Sequence, residues 1–467
     1  MSEEKEQEKD CAMAPEINQL ASWIMGFQTK QPPVEAIDQA KCLLLDSLGC
    51  ALAALDKKSI MLALKVVADV DGSKQSRIIG SRQRTSAPMA VFANSALIRS
   101  LDLNDYFGTT KVAGHPSDNI AVALSIGDWQ RSTGLDVLKS IIMGYELYGR
   151  LQDKIEPQGA WDHTTASGIV APAMAGFLMN LDDEYLTHAL ALGATYCPAL
   201  AVLRHGKLSA AKGLANATVA QGAVFQTLLA AEGITGPLGV LDGKNGLNSV
   251  VLSHGGISDT MLSTENHYRI MDANVKPYPC VGSSQSLVAA ALRIYPFIAK
   301  RQNEIDKIVI TMADLPMVVT QRDDPLRRHP NSRETADHSF YFLTAVALLD
   351  GELTTLQFDN HRWEDPQVLA ISDRIIIRTD SALNTSATKS FAIDLRVLMA
   401  DGSEHRAEFL YHPGHNQDRL DTKGIAAKFS KYNGLSHPRI NWNELVKAVD
   451  ALDDSPNLDA LFQIVCP

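Results

Sequence analysis

The chain has 467 residues, 45% of them hydrophobic, and carries 54 acidic against 43 basic side chains, a formal net charge of −11. That length and apolar fraction suit two or three packed domains and exclude a disordered or fibrous chain. The acidic balance, with no cluster of Lys and Arg, argues against a nucleic-acid surface, and no apolar run approaches the ~18 residues of a membrane span.

In chain order, the opening MSEEKEQEKD is charged and has no apolar core, so it reads as a frayed tail rather than a secretory or transit segment. Residues 17–239 are dominated by Ala, Leu, Ile and Met at helical spacing. The spacing predicts helices over 34–55, 87–102, 119–130, 134–154, 164–179, 185–203 and 208–232, broken by Gly, Pro or Asp. ASGIVAPAMAG and SAAKGLANATVAQGAV are rich in small residues, which lets helices cross closely. Beyond Tyr268, β-branched runs at 306–314 and 373–380 predict strands, and FAIDLRVLMADGSEHRAEFLYH predicts a hairpin turning at Asp401-Gly402. Residues 422–462 return to amphipathic helix. The fold class expected is mainly α with a smaller α+β part: an all-helical domain over 15–268, an α/β lid domain over 269–414, and helices over 415–467 packing back on the first domain. Cys11, Cys42, Cys50, Cys197, Cys280 and Cys466 are scattered without a CxxC or a short Cys/His pairing, so they read as thiols of a reducing compartment rather than metal ligands.

Five segments could carry chemistry. In RSLDLNDYFGTTKVAGHPSDNI, Asp102, Asp105 and His115 lie within fourteen positions, and a carboxylate beside an imidazole suits proton transfer. Capping of the following helix by Ser117 or Asp118 is the bland alternative. GAWDHTTASG places Asp162 and His163 before a small-residue helix whose amides could hold a carboxylate, or be capped by Asp162 or Thr164. RHGKLSAAKGLANA gathers Arg204, His205, Lys207, Ser209 and Lys212, a cationic group suited to a polyanion. Lys207 reads as solvent-directed, whereas Lys212 lies among Ala and Gly, where desolvation would lower its pKa. VKPYPCVGSSQS is a shaped loop offering Lys276. SRETADHSFYF offers Arg333, Glu334, Asp337 and His338, which also fit a capping box or a surface ion-pair cluster.

Taken together and in this order, the segments resemble the MmgE/PrpD family, from about Ala21 to Phe429. Asp102, Asp105 and His115-Pro116-Ser117 carry the most specific part of the likeness. GYELYGR, WDHTT, RHGKLSAAKG, EGITGP, KPYP and ETADHS support it. The family includes 2-methylcitrate dehydratase, cis-aconitate decarboxylase and iminodisuccinate epimerase. The resemblance implies a large helical domain with an α/β lid, a homodimer, and an interdomain site with neither metal nor organic cofactor. By position, it places Asp102, His115, His163 and Lys212 in catalysis, and Tyr106, Ser117, Arg204, Lys276 and Tyr341 at the substrate. It also implies a cytoplasmic hydro-lyase acting on a 2-methylcitrate-like tricarboxylate, with His115 oriented by Asp102, Lys212 or His163 as the second proton-transfer group, and Lys276 and Arg204 as carboxylate clamps.

Departures from the family pattern bear on which reaction is run. Tyr106 stands where a small residue is common, and Gln221 stands where the decarboxylase branch has a lysine, which weighs against plain cis-aconitate decarboxylation. No His falls within 280–285, and Phe342, next to Tyr341, replaces a common Tyr. Decarboxylation, epimerisation and a non-catalytic paralogue remain as alternatives.

Overall fold

The computed structural model describes residues 16–70, 72–108, 113–154, 160–204, 208–242, 245–251, 267–383, 391–432 and 440–466. The N-terminal tail with Cys11, and His205 and Lys207 of the cationic segment, fall outside these. The first part is helical: α1 Glu16–Thr29, α2 Val34–Ala53, α3 Lys58–Asp69, α4 Ala87–Arg99, α5 Ile120–Gln130, α6 Gly134–Gln152, α7 Ser167–Leu178, α8 Asp183–Tyr196 and α9 Ala211–Ala231. Caps fix several starts, as where Thr133 accepts from Asp136 N at α6 and Asp182 from Tyr185 N at α8. The small residues do what their spacing suggests. At the α7–α8 crossing a Cβ on Gly193 would fall 2.4 Å from the Gly168 carbonyl oxygen, so only glycine permits this approach. The helix expected over 185–203 stops at Tyr196, because Pro198 cannot continue it and disfavours the α conformation at Cys197.

Two antiparallel two-residue pairs, β1 Ser76–Arg77 with β2 Arg84–Thr85 and β3 Phe107–Gly108 with β4 Ala113–Gly114, decorate the helical part. The second part is built on a four-stranded sheet of β5 Ile305–Met312, β6 Ile375–Thr379, β7 Ile393–Met399 and β8 Glu404–Phe409, in the order β6-β5-β7-β8. β5 runs parallel to β6 and antiparallel to β7, and β7–β8 is the expected hairpin, with Gly402 at φ +84 in its turn. Helix α10, Gln285–Ile298, packs on β7 and β8, while α11 Pro316–Asp323, α12 Phe340–Asp350 and α13 Pro366–Asp373 complete the parallel crossover.

The tail forms three helices among the described residues: α14 Thr422–Ser430, α15 Trp442–Asp450 and α16 Asp459–Val465, with Pro456 between the last two. They pack back on α2, where the Phe429 ring fills the space beside Gly49. Lys428 Nζ donates to Asp46 Oδ1 of α2 at 2.6 Å and to the Leu103 carbonyl at 3.0 Å, both inside the protein. The apolar core is accordingly in two pieces. One joins residues between Ile17 and Val275 to those between Ile425 and Val465; the other runs from Cys280 to Ala407. Among the described residues no helix is long and apolar enough to cross a membrane.

Candidate active site

Three cations converge on one carboxylate. Asp102 follows the end of α4 in the left-handed conformation, φ +52, and is only 5% exposed. It accepts from Arg99 Nη1 at 2.8 Å, from Lys212 Nζ at 3.2 Å and from Lys276 Nζ, which also donates to the Asp102 carbonyl at 2.9 Å. Arg99 ends α4, Lys212 opens α9, and Lys276 lies on the loop leading into the second core. Burial alone would raise the Asp102 pKa. Arg99, Lys276 and Lys212 outweigh it and hold the group well below the usual carboxylate range. The Lys212 pKa is lowered by burial, against the pull of Asp102 and Asp337.

His115 is fixed differently from the expectation. Its Nδ1 donates to the Asp105 carbonyl at 2.7 Å, and its Nε2 lies 3.1 Å from Arg99 Nη2, which can only donate. Burial and the adjacent Arg99 push its pKa well below 6.5, so the ring is neutral. Asp105 and Arg99 orient it, and no hydrogen bond joins it to Asp102. Ser117 and Asp118 are not caps of α5: Asn104 Nδ2 donates to Ser117 Oγ at 2.8 Å and to Asp118 Oδ1 at 2.9 Å, and Asn119 is the capping position. Burial raises Asp105 to about 6 and Asp118 to about 7.

GYELYGR supplies two phenols on one face of α6, since Tyr145 and Tyr148 are three residues apart. Tyr145 donates to Asp105 Oδ2 at 2.7 Å. Tyr148 accepts from His115 N at 3.2 Å, and its Oη is hydrogen-bonded to His163 Nδ1 at 3.0 Å. That Nε2 is buried without a hydrogen-bond partner, and the His163 and His115 rings lie 5.6 Å apart. Burial, then Arg204, lowers the His163 pKa to about 3. Asp162 caps the turn by accepting from Thr164 N at 3.0 Å, and takes Arg204 Nε at 2.5 Å and Nη2 at 3.2 Å. Arg204 is thus held by a protein carboxylate.

From the second core, His338 Nε2 lies 3.0 Å from Lys212 Nζ, and its Nδ1 bonds Asp337. Asp337 and His338 were named in the fifth segment but given no catalytic or substrate role from the sequence, and Arg99 and Tyr148 were not picked out as site residues. The adjacent Asp-His pair in ETADHS was the available signal for the first two, whereas Arg99 reads as an ordinary basic residue in a last helical turn. Asp102, Asp337 and His338 offer ligand atoms within 4.8 Å of one another, but Lys212 Nζ already sits against Asp102 and His338, so an ammonium takes the place a metal would need. Arg99, Ser100, Asp102, Lys212, Arg333 and Asp337 line an open cleft between the two cores.

The remaining expected residues lie apart from this cluster. Tyr106 Oη donates to His412 Nε2 at 2.9 Å, whose Nδ1 donates to the Pro413 carbonyl, so the phenol ties the two cores together. Tyr341 Oη donates to the Arg322 carbonyl and accepts from Arg328, while Phe342 packs on Phe358 and Trp363. Cys280 is buried and bonded by Ser284 Oγ. Gln221 is nine residues beyond Lys212 on α9, about half a turn round the helix from it. It therefore faces away from Lys212 on that helix.

Residues 18–259 match the MmgE/PrpD N-terminal domain and residues 278–452 the MmgE/PrpD C-terminal domain. The chain belongs to the MmgE/PrpD family. A 2-methylcitrate dehydratase of Cupriavidus necator is 26% identical over 447 residues, covering 90% of each chain. That of Salmonella typhi is 25% identical, covering 89% of each. A cis-aconitate decarboxylase of Mus musculus is 22% identical over 469 residues, covering 96% of this chain and 92% of its own.

Proposed function

We propose that the chain is a hydro-lyase that eliminates water from a 2-methylcitrate-like tricarboxylate by acid/base chemistry. The observation that carries this reading is the convergence of three buried cations, Arg99, Lys212 and Lys276, on the carboxylate of Asp102. Cations gathered at one place beside a cleft suit a ligand bringing several carboxylates. The dehydratase names of relatives matched over nearly their whole length support the reaction.

Elimination requires removal of a proton alpha to a carboxylate and protonation of the departing hydroxyl. Lys212 suits a proton-transfer role, because burial lowers its pKa toward the working range. His163 is suited to a proton-transfer role, with its Nε2 unpartnered and its ring held at Nδ1 by Tyr148. His115 is neutral, and its Nε2 lone pair becomes a base if substrate draws Arg99 away. Arg204 and Lys276 act by positioning, since Asp162 and Asp102 already engage them. No step calls for a metal or organic cofactor. Decarboxylation uses the same parts to protonate the carbanion left by loss of CO2, and the likeness to a cis-aconitate decarboxylase supports it as the second reading.

The test is incubation of the purified chain with 2-methylcitrate, citrate, cis-aconitate and iminodisuccinate. Ultraviolet absorbance reports a new double bond, CO2 release reports decarboxylation, and optical rotation reports epimerisation. Absorbance growth with 2-methylcitrate supports the reading; CO2 from cis-aconitate without dehydration replaces it with the second; inertness toward all four refutes both. The homodimer belongs to the same proposal. Tyr196, Leu200, Val202 and Phe225 are exposed on and after α8 and on α9, an apolar surface suited to a second copy. Light scattering at the monomer mass would contradict it.

A further inference from the structure

We propose that Arg333, with Ser100, forms a carboxylate subsite in the cleft, separate from the Lys212 position, and that it sets selectivity for tricarboxylates over dicarboxylates. The inference rests on the polycarboxylate reading above. Arg333 opens the one-turn helix Arg333–Ala336 of the second core, and its Nη1 donates across the cleft to the Ser100 carbonyl at 3.3 Å. Ser100 caps the end of α4, two residues before Asp102.

Arg333 Nε and Nη2 are both shielded from water, and neither has a hydrogen-bond partner; Ser100 Oγ is in the same condition. Nε–H and one Nη2–H lie along a single edge of the guanidinium, the edge that a carboxylate grips with two parallel bonds. Leaving such donors dry and unpaired is unfavourable, and a ligand carboxylate with both oxygens on that edge removes the deficit. Among the described residues no carboxylate forms an ion pair with Arg333, although Glu334 and Asp337 line the same cleft. By contrast, Arg99 donates to Asp102 and Arg204 to Asp162. The Phe358 ring lies under the guanidinium, 5.6 Å from its centre, which restrains the plane of the fork. Lys212 and Arg333 line one cleft, so a substrate with carboxylates on different carbons meets both.

The experiment is titration calorimetry of the full chain with tricarballylate and with glutarate, which lacks the middle carboxylate. It is run on the unaltered chain, Arg333→Gln, Arg333→Lys and Ser100→Ala, with thermal melts as a folding control. The unaltered chain should bind tricarballylate at least tenfold more tightly than glutarate. Arg333→Gln should remove that preference while leaving glutarate binding within about threefold, and Arg333→Lys should restore part of it. With a turned-over substrate, Arg333→Gln should raise KM and leave kcat within about threefold. Tricarballylate bound by the unaltered chain and by Arg333→Gln with the same preference over glutarate overturns this subsite alone. A chain that binds neither acid overturns the polycarboxylate reading, and this one with it.

Discussion

A carboxylate as enclosed as Asp102 stays ionised because Arg99, Lys212 and Lys276 compensate the solvation it has lost. Asp102→Asn would remove the carboxylate on which three buried cations converge. We expect a loss of about 3–5 kcal/mol of stability, read by urea unfolding, as for other broken buried pairs. His115→Ala should lower turnover by roughly a hundredfold or more with the melting temperature retained, because a lost proton-transfer group costs about that much; a near-normal rate would remove the residue from the chemistry. Residue by residue, several of the segments singled out in the sequence meet in space, though through partners other than those expected. The proximity of Asp102 and His115 in sequence suggested a pair, but the left-handed turn at Asp102 aims its carboxylate at lysines contributed by segments 110 and 174 positions away. Long-range partners of that kind leave no local spacing to read. Tyr148 was visible only as part of a motif, since nothing in GYELYGR says which phenol meets an imidazole.

Helix crossings are where small residues matter. Gly193→Val should destabilise the α7–α8 contact by about 1–3 kcal/mol, read by chemical denaturation, because the added side chain meets the Gly168 carbonyl rather than a movable side chain. At the other end of the chain, α14 carries Lys428, whose ammonium is buried against Asp46 and the Leu103 carbonyl. Lys428→Met should cost about 3–5 kcal/mol in the same measurement and should also loosen the turn that presents Asp102. An unchanged stability would show that the tail does not brace the site. Elements with strong period were legible: β7 alternates buried and half-buried residues as its sequence alternates, and α2 and the helices from α4 to α9 follow their apolar spacing. The miss at Tyr196 came from reading through a proline.

At the scale of the whole molecule, the cleft exists because two apolar cores meet there, and the C-terminal helices return to the first of them. The mainly helical class with a smaller sheet-containing part was readable from the change in texture near Tyr268. The tie between the cores was not, because Tyr106 and His412 are 306 residues apart. His412 is buried and neutral, with its pKa lowered by burial from 6.5 to about 3. The unfolded chain therefore binds a proton there between those values that the folded chain does not, so its contribution to stability is present above about 6.5 and is lost as pH falls toward 3. His163 acts in the same sense, while Asp105 and Asp118, whose pKa values are raised, act in the opposite one. The melting temperature of His412→Gln should consequently fall less steeply between pH 7 and about 4.5 than that of the unaltered chain, and parallel curves would contradict this. The most direct test of polycarboxylate binding in the cleft is a crystal structure of the chain with tricarballylate bound. One of its carboxylates should lie within hydrogen-bonding distance of Lys212 Nζ and its carbon chain between the two cores. Density for the acid only outside the cleft, with Lys212 still confined to Asp102 and His338, would be the opposite result.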